Sequence, residues 1–216
     1  MYKLDLHTHS IASRDGSLTI EDYERVISSG MLDFVAITDH NNISFAKEAK
    51  EKLPENIIIG EEILTKSGEI IGLFLESKIE SGLSLIDTIQ AIRQQNGIVY
   101  IPHPFDNFRH GLKKEDIVLI IKEIDIIECY NSRSFNFMNK QYIRQWAIKN
   151  SISYCASSDA HGKIGFGLTK TYVNLKPSKD NIVTILKSPK YNGHYAGVMA
   201  RLYPTINRWR SLDNNG

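Results

Sequence analysis

Seven short runs rich in Ile and Val recur along the chain, separated by stretches with helical spacing of apolar residues. The runs occupy residues 2–6, 34–37, 57–59, 70–75, 98–101, 124–127 and 152–156. They are nearly continuous rather than alternating, as in parallel strands buried on both faces. The first stretch between them, 19–29, sets Ile20, Tyr23, Val26 and Ile27 on one helical face before Gly30. A second, 44–53, stops at Pro54. A third, 84–95, carries Leu85, Ile89 and Ile92 ahead of Gly97, and further helices are expected at 114–122, 137–150 and 179–186. Strand–helix alternation repeated this often implies an α/β fold, with the strands in a closed or nearly closed barrel. No internal repeat or linker interrupts it. Residues 1–187 read as the barrel domain and 188–216 as a C-terminal extension. After Pro189 the pattern is less regular and carries Arg201, Tyr203, Arg208, Trp209 and Arg210. This tail reads first as a segment wrapped on the barrel and second as a basic, aromatic binding edge.

At 216 residues, with 42% hydrophobic and 24% charged, the chain is an ordinary globular domain. A formal net charge of +1 gives no bulk attraction to a polyanion. Cys129 and Cys155 form no C-x-x-C pair and read as two buried free thiols of a reducing compartment. The first residues lack the apolar core of a signal peptide, and no apolar run is long enough for a membrane span. A cytoplasmic protein with no membrane partner is expected.

The chemistry gathers at the strand ends. Of seven histidines, five stand at or just past one: His7 and His9 after the first run, His40 after the second, His103 after the fifth and His161 after the seventh. The third run leads into Gly60-Glu-Glu62 and the sixth into Glu128-Cys-Tyr-Asn131. In a β/α barrel these ends share one face, where active sites form. His7 and His9, two apart on extended chain, point the same way, and so do Asp159 and His161. Several divalent cations cannot share neutral imidazoles alone, so carboxylates must join them. Of Glu61 and Glu62 only one can point inward, and strand alternation leaves the choice open.

These pieces resemble the polymerase and histidinol phosphatase (PHP) superfamily over roughly residues 1–174. The resemblance rests on Asp5-Leu-His-Thr-His-Ser10, Ser13-Arg-Asp-Gly16, Ile37-Thr-Asp-His-Asn41, Gly60-Glu-Glu62, His103-Pro104 and Ser158-Asp-Ala-His161. It implies a distorted seven-stranded (β/α)7 barrel holding two to three divalent ions, Mn, Fe or Zn. By this resemblance a first metal would take His7, His9, Glu62 and Asp159, and a second Asp15, His40 and His161. A third would share Glu62 and use His103. Many members carry a histidine where this chain has Glu69. A carboxylate there would favour harder ions such as manganese or iron. The segment from His103 to the next helix is short, so the site mouth should be open.

Such a centre suits phosphate ester hydrolysis, in which paired ions activate a water and neutralise phosphoryl charge. The catalytic set expected from the motifs is Asp15, His40, Asp159 and His161. Arg14, Asn131 and Arg133 are candidates for gripping substrate, and His110 for protonating a leaving group; His194 reads as structural. The sequence thus points to a phosphoesterase of small mono- or diesters, such as nucleotides or sugar phosphates. An exonuclease is the second reading, with nucleic acid the less favoured partner. The third is a metal-binding module without catalysis.

Overall fold

The computed structural model describes residues 1–106, 109–134 and 137–213. Among these residues nine strands form one sheet. They are β1 (Tyr2–Asp5), β2 (Phe34–Ile37), β3 (Ile57–Leu64), β4 (Glu69–Leu73), β5 (Ile98–Ile101), β6 (Ile126–Asn131), β7 (Ser153–Ser157), β8 (Lys170–Val173) and β9 (Lys190–Asn192). Seven helices accompany them: α1 (Ile20–Ser28), α2 (Ser44–Lys52), α3 (Leu85–Gln94), α4 (Lys114–Leu119), α5 (Phe137–Lys149), α6 (Ile182–Ile185) and α7 (Gly197–Asp213). The strand order is β7-β6-β5-β4-β3-β2-β1-β8-β9.

The near-continuous apolar runs have a simple origin. Alternate residues face opposite sides of the sheet, and both sides are packed. Leu4, Phe34, Ile58, Ile98, Tyr100, Ile126 and Val173 form one cluster although they come from strands spread around the sheet, as inward-facing side chains of a curled sheet must. Their neighbours Val35, Ile37 and Ile57 pack outward with α1 and α2 residues, and Val99, Ile101 and Ile127 pack with α3 and α4 residues.

The sheet departs from seven parallel strands. β1-β2-β3 and β5-β6-β7 pair in parallel, but β4 is antiparallel to both β3 and β5. The reason is loop length. β3 runs on to Leu64, so only residues 65–68 separate it from β4, and a parallel crossover needs a dozen or more. β8 is antiparallel to β1, and β9 to β8. The barrel is nearly closed. At the β7–β8 seam the Thr171 hydroxyl bonds Ala156 N and O at 2.8 and 2.9 Å. Beyond the strand ends, His9 N donates to Ala160 O and Asp159 N to His7 O, both at 2.9 Å.

Two expected helices are shorter than their patterns, α4 giving way to a 3-10 turn at Ile121–Glu123 and α6 spanning one turn. The tail after Pro189 is more regular than its sequence suggested, since it supplies β9 and the 17-residue α7, which contains Pro204. The side chains of Trp209 and Arg210 lie outside the described residues. Both cysteines are free and buried. Among the described residues no helix is long and apolar enough to cross a membrane.

Candidate metal centre

The strand ends are pinned by a carboxylate that takes no place in the cluster itself. Asp39, fully buried after β2, accepts from Ser10 N at 2.7 Å, Ser10 Oγ at 2.5 Å and Ser13 Oγ at 2.6 Å. It thereby folds the loop after His9 back over the barrel. The turn closes with Gly16 N on Ser13 O at 2.9 Å. A Cβ at residue 16 would sit 2.0 Å from Ser10 O, so only glycine lets Asp15 reach the mouth. On the next strand pair, Glu62 N donates to Asp39 O and Asn41 N to Glu62 O, which fixes His40 beside Glu62.

Glu62 is the centre of the cluster. Its Oε1 lies 3.4 Å from His7 Nε2 and 2.9 Å from His103 Nε2. Its Oε2 lies 3.3 Å from His9 Nε2 and 3.1 Å from His40 Nδ1. Glu61 points away and accepts from Ile79 N at 2.8 Å. Asp159 Oδ1 is 3.7 and 3.5 Å from the Nε2 atoms of His7 and His9, and 3.3 Å from His161 Nδ1. Asp15 Oδ1 is 3.6 Å from His40 Nε2 and 3.7 Å from His161 Nε2. Glu69, at the start of β4, reaches His40 and His103 at 3.6 Å through its two oxygens. An antiparallel strand presents its first residue, not its last, at this face.

The donors cluster as a metal centre would require. His7, His9 and Asp159 form one set with ligand atoms within 4.8 Å of one another, and so do His9, His40 and His161. Two more sets, His7 with Glu62 and His103, and His40 with Glu62 and Glu69, share the central carboxylate. His7 and His9 turn their Nε2 atoms toward each other at 3.1 Å. Buried Glu62 Oε2 and Asp15 Oδ1 accept no hydrogen bond. Imidazoles and carboxylates in this mixture suit borderline to hard divalent ions, so the residues fit the group.

The electrostatics agree. Burial opposes charge on Glu62, yet His7, His40 and His103 hold its carboxyl well below the usual range. Burial likewise opposes charge on Asp159, but Arg133, His7, His9 and Arg109 keep it ionised. Burial disfavours protonated His7, but Asp159, Glu62 and Glu128 outweigh it and raise its pKa. Burial, with Arg133 and His9, drives His161 down. Glu69 is pushed up to about 9 by burial and by the charges of Glu62 and Asp159. The carboxylate charge that raises the pKa of His7 and Glu69 also attracts metal cations.

Two residues around the cluster, Glu128 and Arg109, escaped the sequence reading, while Asn131 and Arg133 were among its candidates. Glu128 is buried inside β6 and meets four donors: His7 Nδ1 at 3.2 Å, and Tyr100 OH, His103 N and Asn131 Nδ2 each at 2.8 Å. A Glu in an otherwise apolar strand was its visible signal. Arg109 donates to Asp159 Oδ2, to Asp106 Oδ2 at 3.0 and 2.7 Å, and to Ser134 Oγ at 2.8 Å. Arg133 Nη1 donates to Asp159 Oδ1 at 3.0 Å and lies 2.9 Å from His161 Nδ1. Asn131 Oδ1 accepts from Arg133 N and Arg109 Nη1. A cavity of about 210 Å³ over the cluster is lined by Asp15, His40 and Glu69 on one side and Arg109, Arg133 and Arg208 on the other. His110 stands at its exposed rim. Arg14 is exposed and does not line it, and the His194 main chain pairs with Thr169 Oγ1.

Comparison with known proteins gives this arrangement a context. The chain is 34% identical over 163 residues to Uncharacterized protein MJ0417 of Methanocaldococcus jannaschii, covering 74% of this chain but 65% of that protein. It is 33% identical over 142 residues to Uncharacterized protein MJ1587 of the same organism, covering 60% of this chain and 83% of that protein. Among solved structures it resembles PsfC from Pseudomonas syringae, with a TM-score of 0.67, 14% identity and coverage of 99% and 98%. It also resembles the lesion-specific endonuclease PfuEndoQ from Pyrococcus furiosus, with a TM-score of 0.63, 18% identity and coverage of 88% and 57%. A third likeness is to a structure from Bifidobacterium adolescentis assigned as a metal-dependent phosphoesterase, with a TM-score of 0.59, 17% identity and coverage of 74% and 88%. At these identities the solved structures speak for the fold alone. The PHP domain profile matches residues 5–193, and the chain belongs to the PHP domain family.

Proposed function

We propose that this chain is a metal-dependent phosphoesterase that hydrolyses small phosphate mono- or diesters. One observation carries the reading: four overlapping donor sets, two of them sharing Glu62, lie beneath a cavity whose other wall is arginine. His7, His9, Glu62 and Asp159 would hold a first ion, and Asp15, His40 and His161 a second. Glu62, His103 and Glu69 would hold a third, with manganese, iron or zinc as the candidates. Divalent ions bound there would supply Lewis-acid stabilisation of the phosphoryl oxygens and a lowered pKa for attacking water.

The chain's own residues do the rest. Arg109 and Arg133 set guanidinium groups beside Asp159, where they can meet the phosphate oxygens left uncovered by metal. Asn131 Oδ1 accepts from the Arg109 guanidinium and from the main-chain N–H of Arg133. His110, at the rim, would protonate a leaving group. The proposed catalytic set remains Asp15, His40, Asp159 and His161, and all of it lines the cavity. A module without catalysis would be expected to lack ligands, and none of the proposed ones is missing. Two buried free thiols support a reducing, cytoplasmic setting.

A second reading has its own observation. Beside the cluster lies a cavity of about 470 Å³ lined by Lys66, Lys113 and the shared Arg109 and His110. This basic annex favours a longer phosphodiester, such as a short oligonucleotide, whose backbone would run past the metals. A manganese-supplemented screen over monoesters, diesters and oligonucleotides decides between the two. Elemental analysis of chelator-free protein should find two to three divalent ions. His9→Ala and Asp159→Ala should lose hydrolysis while keeping the wild-type circular dichroism. Near-native turnover in both variants, or a metal content near zero after reconstitution, would refute the reading.

A further inference from the structure

The C-terminal segment runs across three of the loops that form the site. Ala196 N donates to Ser132 O at 3.2 Å, beside Arg133. Tyr203 of α7 lies flat against the residue after His161, and a Cβ added at Gly162 would sit 2.7 Å from its ring. One turn further on, Asn207 is buried, with 6% of its surface exposed. Its Nδ2 donates to Asp15 O at 2.9 Å and to His161 O at 3.2 Å.

Those two carbonyls belong to residues far apart in sequence whose side chains converge. Asp15 Oδ1 lies 3.7 Å from His161 Nε2. No backbone hydrogen bond links the two segments directly at this point. His161 O is shared by Ser17 Oγ at 2.9 Å, so both loops hang on the same small polar knot. An amide is the smallest side-chain group whose NH2 can donate to two carbonyls at once. A carboxylate of the same shape can donate to neither.

We propose that Asn207 is a positioning residue for the second metal set, its amide setting the spacing between Asp15 and His161. The proposal rests on the metal-centre reading given above. It also assigns α7 a part in the site, beyond a wrapped tail. Arg208, adjacent in sequence, lines the same cavity 3.9 Å from Asp15 Oδ2.

The test uses the full chain and Mn²⁺ alone, with bound ion read from the loss of the free-ion electron paramagnetic resonance signal. Asn207→Leu removes the donors at nearly equal size, and Asn207→Asp keeps the shape but cannot donate. Either should weaken one class of Mn²⁺ sites about tenfold, the scale of losing an orienting partner outside the ligand shell, and leave the other class unchanged. Thr205→Ala, on the exposed face of the same helix, should bind as wild type. In a His40→Ala background, which already lacks the second set, Asn207→Leu should add nothing. A helix anchor with no positioning role would lower the melting temperature and leave the Mn²⁺ isotherm where it was. That result in both Asn207 variants would overturn the proposal and leave the metal centre standing. An additive loss in the His40→Ala background would overturn it too, since Asn207 would then act elsewhere. A wild-type chain that takes up no Mn²⁺ would overturn the metal-centre reading and this one with it.

Discussion

Replacing Glu128 by glutamine tests whether the cluster depends on a carboxylate that never touches its cavity. Glu128 spends both oxygens on donors: Oε1 on His7 Nδ1 and Tyr100 OH, Oε2 on His103 N and Asn131 Nδ2. While it accepts from Nδ1, His7 must offer Nε2 to the site, where His9, Glu62 and Asp159 face it. Glutamine is isosteric but has one acceptor end. Its NH2 cannot face His103 N and Asn131 Nδ2, which both donate. It must turn toward His7 and Tyr100, where the Tyr100 hydroxyl can swing to Ser157 Oγ, 3.0 Å away. His7 Nδ1 then becomes an acceptor, the proton moves to Nε2, and the ring presents an N–H where a lone pair is needed. Loss of such an orienting partner weakens metal binding roughly 10–100-fold, or about 1.4–2.7 kcal/mol. Mn²⁺ or Zn²⁺ calorimetry measures the affinity, and long-range ¹⁵N–¹H spectra of His7 report the tautomer. Unchanged affinity together with a protonated Nδ1 would refute the reasoning.

Three further outcomes are expected. Arg133→Ala or Arg109→Ala should lower kcat/KM on the best phosphoester by about a hundredfold, the loss of a charge-assisted contact of about 2–3 kcal/mol. Arg133→Lys should recover only part, metal content should hold, and an unchanged kcat/KM would return either arginine to a purely structural role. Burial pushes the Glu61 carboxyl from its ordinary 4.5 up to about 7, so the native state holds a proton that the unfolded chain releases. The Glu61 contribution to the stability of the metal-free protein should therefore fall as pH rises through that window and level off above it; Glu61→Gln should reduce the slope of stability against pH in urea unfolding there, and an identical slope would sink the assignment. Gly162→Ala should drive a methyl group into the Tyr203 ring and cost about 1–3 kcal/mol by overpacking; an unaltered melting temperature would mean that α7 does not pack as described.

Most of the clustered side chains were legible because histidine and aspartate at strand ends have few other reasons to recur. The choice of Glu62 over Glu61 was not legible from alternation, because both are buried; one faces the histidine cluster and the other Ile79 N. The direction of β4 was hidden by the polar end of β3. Glu61 and Glu62 masked the strand's continuation to Leu64, so a four-residue hairpin looked like a longer connection. Arg109 gave no local sign, since its value lies in meeting Asp159, fifty residues away. In α7, a mixed face obscured a helix whose buried residues among those described are a small one, a proline and a polar one: Ala200, Pro204 and Asn207.

The pairing of β1 with β8 joins Tyr2 to Val173 and Leu4 to Thr171. Closing so long a loop is entropically unfavourable, and contacts of such separation slow folding. The donor sets inherit this order of events. His7 and His9 leave the ribosome some 150 residues ahead of Asp159 and His161. A nascent chain that has passed only β4 holds His7, His9, Asp15, His40, Glu62 and Glu69, but neither His103, Asp159, His161 nor the orienting Glu128. The set of His40, Glu62 and Glu69 is present by then, but the three sets that use His103, Asp159 or His161 come into being only later, so full metal uptake would report the end of folding.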